Sequence, residues 1–270
     1  MSRTQVVGII RLARIRFLLY NVLPVAIGGA VAVLSGHPLH IGWYILVQAF
    51  SWCTHLMTHY CNEYFDLEAD RVNQCYTPWT GGSRVLVDGL VRPATSLSTS
   101  FVLLALSMIL AAAMPTPVTR ILAVMIIILA WFYTAPPLRF NYRGLGELTV
   151  GSILNGLVPI LSVAVQTGEV PVLILLVLAP TALLQAARMM VMNLADIQSD
   201  MQVGKRTLPV LLGRDRVISV ITGAGGGICE PDRIRRPGVD TVAGVRGHAV
   251  YGTAGLAAGF LAQRRRVMDR

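Results

Sequence analysis

Charge is scarce in this chain. Only 14% of its 270 residues are Asp, Glu, Lys or Arg, against about 25% in an ordinary soluble domain. With 54% hydrophobic residues and a mean hydropathy of +0.61, that shortfall is foreign to a water-soluble fold and points to an all-α polytopic membrane protein. Cysteine is sparse too. Cys53, Cys61, Cys75 and Cys229 contain no CxxC pair, which argues against a disulfide framework or a zinc site. The glycine run 223–227 lacks both a following Lys-Ser/Thr pair and a preceding strand, so it reads as a flexible segment rather than a phosphate-cradling loop. His55 and His59 form an HxxxH pair with no third ligand at fitting spacing, and read as packed or hydrogen-bonded histidines.

What is present is a series of long apolar runs. Residues 17–35, 41–61, 97–114, 117–135, 148–166 and 170–192 each approach the ~20 residues needed to cross a hydrocarbon core. No cleavable signal peptide is expected, because the first run has no clear small-residue cleavage site. The formal net charge of +9 fits the excess of Lys and Arg on cytoplasmic loops, and no nucleic-acid partner is implied. Arg3, Arg11, Arg14 and Arg16 precede the first run and place the N-terminus in the cytoplasm. The segments 62–96, 136–147 and 193–216 then fall on the same side and carry Arg139, Arg143, Lys205, Arg206, Arg214 and Arg216, with Arg120 the exception.

The connections alternate. "SGHP", "MPTP" and "TGEVP" are brief, whereas those after the second, fourth and sixth runs are longer and hold most of the charge. One elaborated face is the expected result, with the second and sixth runs suggesting a weak internal repeat. Two parts are expected along the chain, a membrane-embedded domain over 1–217 and a Gly/Arg-rich tail over 218–270. Residues 208–222 read as the start of a seventh helix, and the tail reads either as a shifted reading frame of a GC-rich gene or as a disordered segment. The coding DNA tests this, since a true shift leaves apolar helices in another frame.

The carboxylates carry the chemistry. Asn62, Asp66 and Asp70 are spaced four and four in "CNEYFDLEADRV". On a helix they share one face within roughly 80° over about 12 Å, while Glu63 and Glu68 point elsewhere. In "NLADIQSD", Asn193, Asp196 and Asp200 fall within roughly 60° of one face. A single such Asp reads as a solvated helix end. Two Asn-plus-Asp clusters after corresponding runs read as one site. Buried Asp costs about 2.5–3.5 kcal/mol at mid-bilayer, and two facing clusters repel. Hard divalent cations relieve both penalties, and sparse oxygen ligands suit Mg²⁺ that also binds substrate phosphate. Lys205, Arg206 and Arg84 lie close in sequence, as positive-inside anchors or as partners for phosphate oxygens. Gly81 and Gly82 permit a tight turn or a close backbone approach. Tyr60, Tyr64, Phe65, Tyr133, Phe140 and Tyr142 read either as an interfacial belt or as ring faces around a developing carbocation.

"NEYFDLEAD", "DIQSD", "YTAPPLRFNYRGLGE" and "NLADIQSDMQVGKRTLPVLLG" together resemble the UbiA superfamily of membrane-embedded prenyltransferases, over about residues 8–215. They look most like the menaquinone branch, which prenylates 1,4-dihydroxy-2-naphthoate. The resemblance implies a bundle of nine spans, of which about seven are recognisable here. It implies that Asn62, Asp66, Asp70, Asp196 and Asp200 hold two Mg²⁺ on the diphosphate of a polyprenyl donor. Lys205, Arg206, Arg84 and Arg139 would steady that diphosphate, with Asn193, Glu63 and Tyr133 in support. An electron-rich aromatic acceptor would then attack the allylic cation, on the cytoplasmic face of the plasma membrane. Glu63 stands where many members carry Asp, which preserves carboxylate character. Prenylation of 4-hydroxybenzoate or a glyceryl phosphate is the neighbouring reading. A transporter of cations or organic anions is the competing class, and carboxylates clustered at one end of the spans favour an enzyme.

Overall fold

A computed structural model describes residues 3–222. The expectations placed on the 223–270 stretch, its glycine run and its reading frame lie outside the described residues. Among those residues there is no β-strand, only an isolated bridge between Arg143 and Arg206.

The apolar runs become helices. α1 (Arg3–Leu12) is followed by a left-handed turn at Arg14 (φ 46°) and a 3₁₀ segment, Ile15–Asn21, that leads into α2 (Val22–Leu34). α3 (Ile41–Phe65) is the longest helix, and the short α4 (Leu67–Val72) follows it after a one-residue break. α5 (Pro93–Ala112) and α6 (Pro117–Phe132) each start on a proline in the first turn, where the missing N–H costs nothing. Thr116 caps α6 through a reciprocal exchange with Thr119, which satisfies two orphan donors. α7 (Gly146–Ser152) runs through a π-helical stretch, Ile153–Leu157, into α8 (Val158–Thr167). α9 (Val172–Asn193) continues through a 3₁₀ turn into α10 (Ile197–Gln202).

Four stretches are long and apolar enough to cross a membrane, namely Gln5–Leu34, Pro93–Ala112, Gly146–Thr167 and Val172–Gln202. α6 is shorter at 16 residues, and α3 has the length, 25 residues, but a more polar C-terminal half. The expected seventh helix is two pieces, α11 (Leu208–Leu212) and α12 (Arg214–Thr222), parted at Gly213 with φ 81°. A positive φ at that position breaks the helix because the α conformation cannot pass through it.

Packing pairs α3 with α5, α2 with α8 and α7 with α9 most extensively. In lipid no water drives helices together, so small residues and interhelical hydrogen bonds hold close interfaces. Ser162 Oγ donates to Val25 O at 2.8 Å, and Ser96 Oγ to Tyr60 O at 2.8 Å. A methyl group on Gly28 would collide with Ser162 Cβ and Pro159 O, so the α2–α8 approach depends on that glycine. Phe50, Met114, Ile126 and Leu161 fill the centre of the bundle. Val102, Ile109, Val172, Leu176, Leu183 and Leu184 face outward, on helices α5 and α9. That surface suits hydrocarbon and not water, and the protein is an integral membrane protein.

Candidate active site

Both acidic clusters sit where a long helix breaks. Asp66 closes α3 with φ −94° and ψ 4°, and the chain re-enters helix at α4. Asp66 N still donates to Asn62 O at 2.8 Å, and Asp70 N to Asp66 O at 2.9 Å. The kink therefore leaves Asn62, Asp66 and Asp70 on one side. Asp196 ends the 3₁₀ turn Leu194–Asp196 between α9 and α10. All four residues, with Asn193 and Lys205, line one cavity of about 160 Å³. Glu68 is exposed and Glu63 is buried away from the cavity, as the helical spacing predicted.

Asp66 is the hub. Its Oδ2 accepts from Asn62 Nδ2 at 2.9 Å, Lys205 Nζ at 2.9 Å and Asn141 Nδ2 at 3.3 Å. Its Oδ1 is buried and has no hydrogen-bond partner, and the same is true of Asn141 Oδ1. Lone acceptor oxygens of this kind are costly unless a donor or cation meets them. Lys205, the only lysine in the chain, also approaches Asp200 Oδ1 at 3.5 Å and so bridges the two clusters. Burial works against its charge, but Asp66 and Asp200 outweigh that and hold its pKa well above the usual amine value. Asp70 is pushed well above the ordinary carboxylate range by burial, with repulsion from Glu63 and Asp66 added. Burial and the neighbouring carboxylates thus disfavour the charged form of Asp70, and Lys205 and Arg14 offset this only in part.

The expected ligands are not equivalent in the fold. Asp200 is buried behind Lys205, accepts from Thr207 Oγ1 at 3.5 Å, and does not line the cavity. Asp196 Oδ1 accepts from Asn73 Nδ2 at 2.7 Å. Asn193 Nδ2 donates to Glu147 Oε1 at 2.8 Å, and the other Glu147 oxygen accepts from Leu208 N at 3.3 Å. Glu147 has 0% exposure and ties α7, α9 and α11 together below the site.

Among the four basic candidates, the fold brings Lys205 alone to the cavity. Arg84 lies over the Tyr76 ring at 4.4 Å, donates to Asp70 O, and lines a neighbouring cavity. Arg139 stacks on Tyr142 at 3.5 Å. Arg206 is exposed, with its backbone N–H on Tyr142 O. These three separate from the site because their side chains find ring faces or solvent nearer to hand.

Glu63 plays a different part from that of a ligand. Ser83 donates to it through both N (2.6 Å) and Oγ (2.7 Å), and Arg14 Nη1 lies 3.9 Å away. This fastens the 73–92 loop across the end of α3. Gly81 (φ 73°) and Gly82 (φ 71°) pass against the cavity, and a methyl group on Gly82 would collide with the Asp70 carboxylate.

Deeper in, the cavity is lined by Tyr20, His55, His59, Tyr133, Leu154 and Arg188. His55 Nδ1 is bonded to Asn21 Oδ1, and His59 Nδ1 donates to Ala13 O at 2.8 Å, as expected of hydrogen-bonded histidines. Of the six aromatics singled out in the sequence, Tyr133 alone lines this cavity. Tyr60 donates to Ile9 O at 2.9 Å, and Tyr64 and Phe65 pack edge to face. A second, mostly apolar cavity of about 70 Å³ shares His55, Thr58, Tyr133, Val150 and Leu154, and continues past Ile126, Ala130 and Val158. The π-helical turn at 153–157 places Ile153 and Leu154 on its wall. Such turns recur at functional sites because the extra residue re-aims side chains.

Among the described residues, no three His, Cys, Asp or Glu side chains converge into a ready-made metal centre. The donor set is all oxygen, spread around a cavity, with Asp66 Oδ1 and Asn141 Oδ1 unpartnered. That arrangement fits Mg²⁺, which keeps waters and takes few carboxylates beside substrate phosphates, better than Zn²⁺ or a transition metal. The bridging role of Lys205 can be measured. Lys205→Met leaves Asp66 and Asp200 without their common cation, a loss of about 3–5 kcal/mol for a broken buried pair. Thermal unfolding in detergent should fall sharply without divalent ions and recover in part with Mg²⁺, more than in the parent protein.

Sequence reasoning missed Asn141, Glu147, Asn73, Arg14 and Arg188. Two had a signal. Glu147 is a carboxylate in the first turn of a membrane helix, and Arg188 is a cation within an apolar run.

The profile of the UbiA prenyltransferase family matches residues 21–270. The 1,4-dihydroxy-2-naphthoate octaprenyltransferase of Bacillus subtilis (strain 168) is 27% identical over 96 residues, 36% of this chain and 31% of the relative. The UbiA prenyltransferase domain-containing protein 1 of Xenopus tropicalis is 27% identical over 199 residues, 72% of this chain and 56% of the relative. The chain thus spans between about a third and a little over half of the length of these relatives. Among solved structures, a UbiA homologue from Archaeoglobus fulgidus bound to GPP and Mg²⁺ superposes with a TM-score of 0.63 at 20% identity, covering 80% of this chain and 73% of that one. A digeranylgeranylglyceryl phosphate synthase structure gives 0.60 at 19% identity, covering 81% and 73%. These last two likenesses speak to the fold.

Proposed function

This chain belongs to the UbiA prenyltransferase family, and we propose that it transfers a polyprenyl group from its diphosphate to an aromatic acceptor in a Mg²⁺-dependent reaction. The observation that carries the proposal is a single cavity onto which two helix-break carboxylate clusters open, with Asp66 at its hub and an apolar chamber continuing behind it. The acceptor is 1,4-dihydroxy-2-naphthoate in menaquinone biosynthesis, a reading supported by the sequence motifs and by the named activity of the B. subtilis relative. The active face is cytoplasmic and the membrane is the plasma membrane, on the strength of the basic loops.

Asn62, Asp66, Asp70 and Asp196, with Asp200 behind them, would hold Mg²⁺. When bound, the ion supplies Lewis-acid neutralisation of the diphosphate leaving group. The protein does the rest. Lys205 offers the departing oxygens a cation already pre-organised by Asp66 and Asp200, and such preorganisation acts on charge that grows in the transition state. Arg84, anchored on the carbonyl of Asp70, and Arg139 and Arg206 keep the surrounding face positive. The apolar chamber takes the first prenyl carbons and excludes water, so that the allylic cation meets the ring carbon. Tyr133, shared by both cavities, presents a ring beside that path. The bond from prenyl C1 to the diphosphate oxygen breaks and a C1–ring carbon bond forms. On dihydroxynaphthoate, carbon dioxide leaves from the attacked position.

The test is direct. Membranes carrying the full chain are incubated with labelled polyprenyl diphosphate, Mg²⁺ and a panel of dihydroxynaphthoate, 4-hydroxybenzoate and glyceryl phosphate. Labelled prenyl-naphthoquinol that disappears with EDTA is the expected result. Divalent-ion flux in liposomes without prenyl transfer to any acceptor would overturn it.

A further inference from the structure

Arg188 is the one charged side chain in α9, and nothing in the transfer mechanism above uses it. It lies eight residues before Asp196, about 12 Å deeper along the helix. A cation at that depth is expensive and persists where it faces a cavity or a partner. Its partners are uncharged. The guanidinium meets Gln185 Oε1 at 3.0 Å, the thioethers of Met192 at 3.0 Å and Met189 at 3.7 Å, and the Tyr20 ring at 4.1 Å. Among the described residues, no carboxylate lies within ion-pair distance of it. It nonetheless lines the same cavity as Asp66, Asp70 and Asp196.

The cavity therefore has two polar poles. One is the carboxylate–Lys205 pole at the helix breaks. The other is a lone cation flanked by Tyr20 and by His55, whose Nδ1 is occupied by Asn21. We propose that Arg188 selects the acceptor by holding the anionic group of a planar aromatic acid, with the ring directed toward the prenyl C1. The inference rests on the prenyl-transfer reading for its substrate. A guanidinium without a counter-ion in a low-dielectric site favours a carboxylate. The ring faces around it and the two flexible methionines suit a flat apolar body. The diphosphate is not the group it holds, because the cation that would meet it, Lys205, sits at the other pole against Asp66 and Asp200.

The experiment uses the full chain in nanodiscs with three probes: 1,4-dihydroxy-2-naphthoate, its 2-carboxamide, and geranyl diphosphate with Mg²⁺. Affinities are measured calorimetrically alongside turnover. The parent protein should prefer the acid to the carboxamide by about tenfold or more, the scale of one charge-assisted hydrogen-bonded pair. Arg188→Gln should erase that preference and leave geranyl diphosphate affinity within about twofold. Arg188→Lys should restore part of the preference, since it keeps the charge, and it serves where the Gln variant fails to fold. A preference that survives in the Gln variant, or a loss that falls on geranyl diphosphate, overturns the inference. Arg188-dependent acid binding without any prenyl transfer overturns the transferase reading and leaves this site standing. Equal affinity for acid and carboxamide, with prenyl transfer to the acid intact, overturns the site and leaves the transferase.

Discussion

Asp66→Asn should abolish Mg²⁺-dependent prenyl transfer, by about 10³-fold or more, while the protein still inserts and folds. That loss is about 4 kcal/mol of transition-state stabilisation, the upper range for removing one preorganised electrostatic contact. Asp66 earns this position by geometry. Among the described acidic residues it alone touches Asn62, Lys205 and Asn141, and it alone has a buried side-chain oxygen without a partner. The amide keeps the shape and one acceptor oxygen, but it has no negative charge with which to neutralise Lys205 or to bind a divalent ion strongly. Turnover measured with circular dichroism on the same sample separates chemistry from folding. Asp200→Asn should cost less in turnover and more in stability, because Asp200 is buried behind Lys205 and off the cavity wall. Equal activity losses in the two variants would refute this ranking.

Gly82→Ala should lower turnover by about 10²-fold, the scale of a displacement near 1 Å in a site. The residue has φ 71°, and its new methyl group would collide with the carboxylate of Asp70. The left-handed conformation alone costs an alanine about 1–2 kcal/mol, so a control must separate strain from collision. Gly89 provides it. Its φ is 69° and nothing lies within 4 Å of its added methyl group. Gly89→Ala should lose comparable stability and keep its turnover. The informative readout is therefore turnover relative to thermal stability in the two variants, and a matched pair of losses would place Gly82 in the loop's folding rather than at the site.

The helices and the heart of the site were legible along the chain for a plain reason. Apolar runs of membrane length have one stable form in lipid, since every backbone N–H and C=O must be paired internally. Spacing of four residues then puts Asn62, Asp66 and Asp70 on one side, and the break at Asp66 is too slight to scatter them. The basic residues were less readable. Arg84, Arg139 and Arg206 are near the motifs in sequence, yet a long side chain goes to whichever ring, carbonyl or solvent it reaches first.

By itself, then, the sequence determined the all-helical membrane architecture and the spacing that gives each carboxylate cluster a common face. Tertiary structure alone decided which groups complete them. Asn141 reaches Asp66 from 75 residues away, Asn73 reaches Asp196 from 123, and Lys205 reaches Asp66 from 139. Helical periodicity orders neighbours within a few turns. Contacts across that much chain exist only once α3, α7 and α9 have packed, and no local spacing records them.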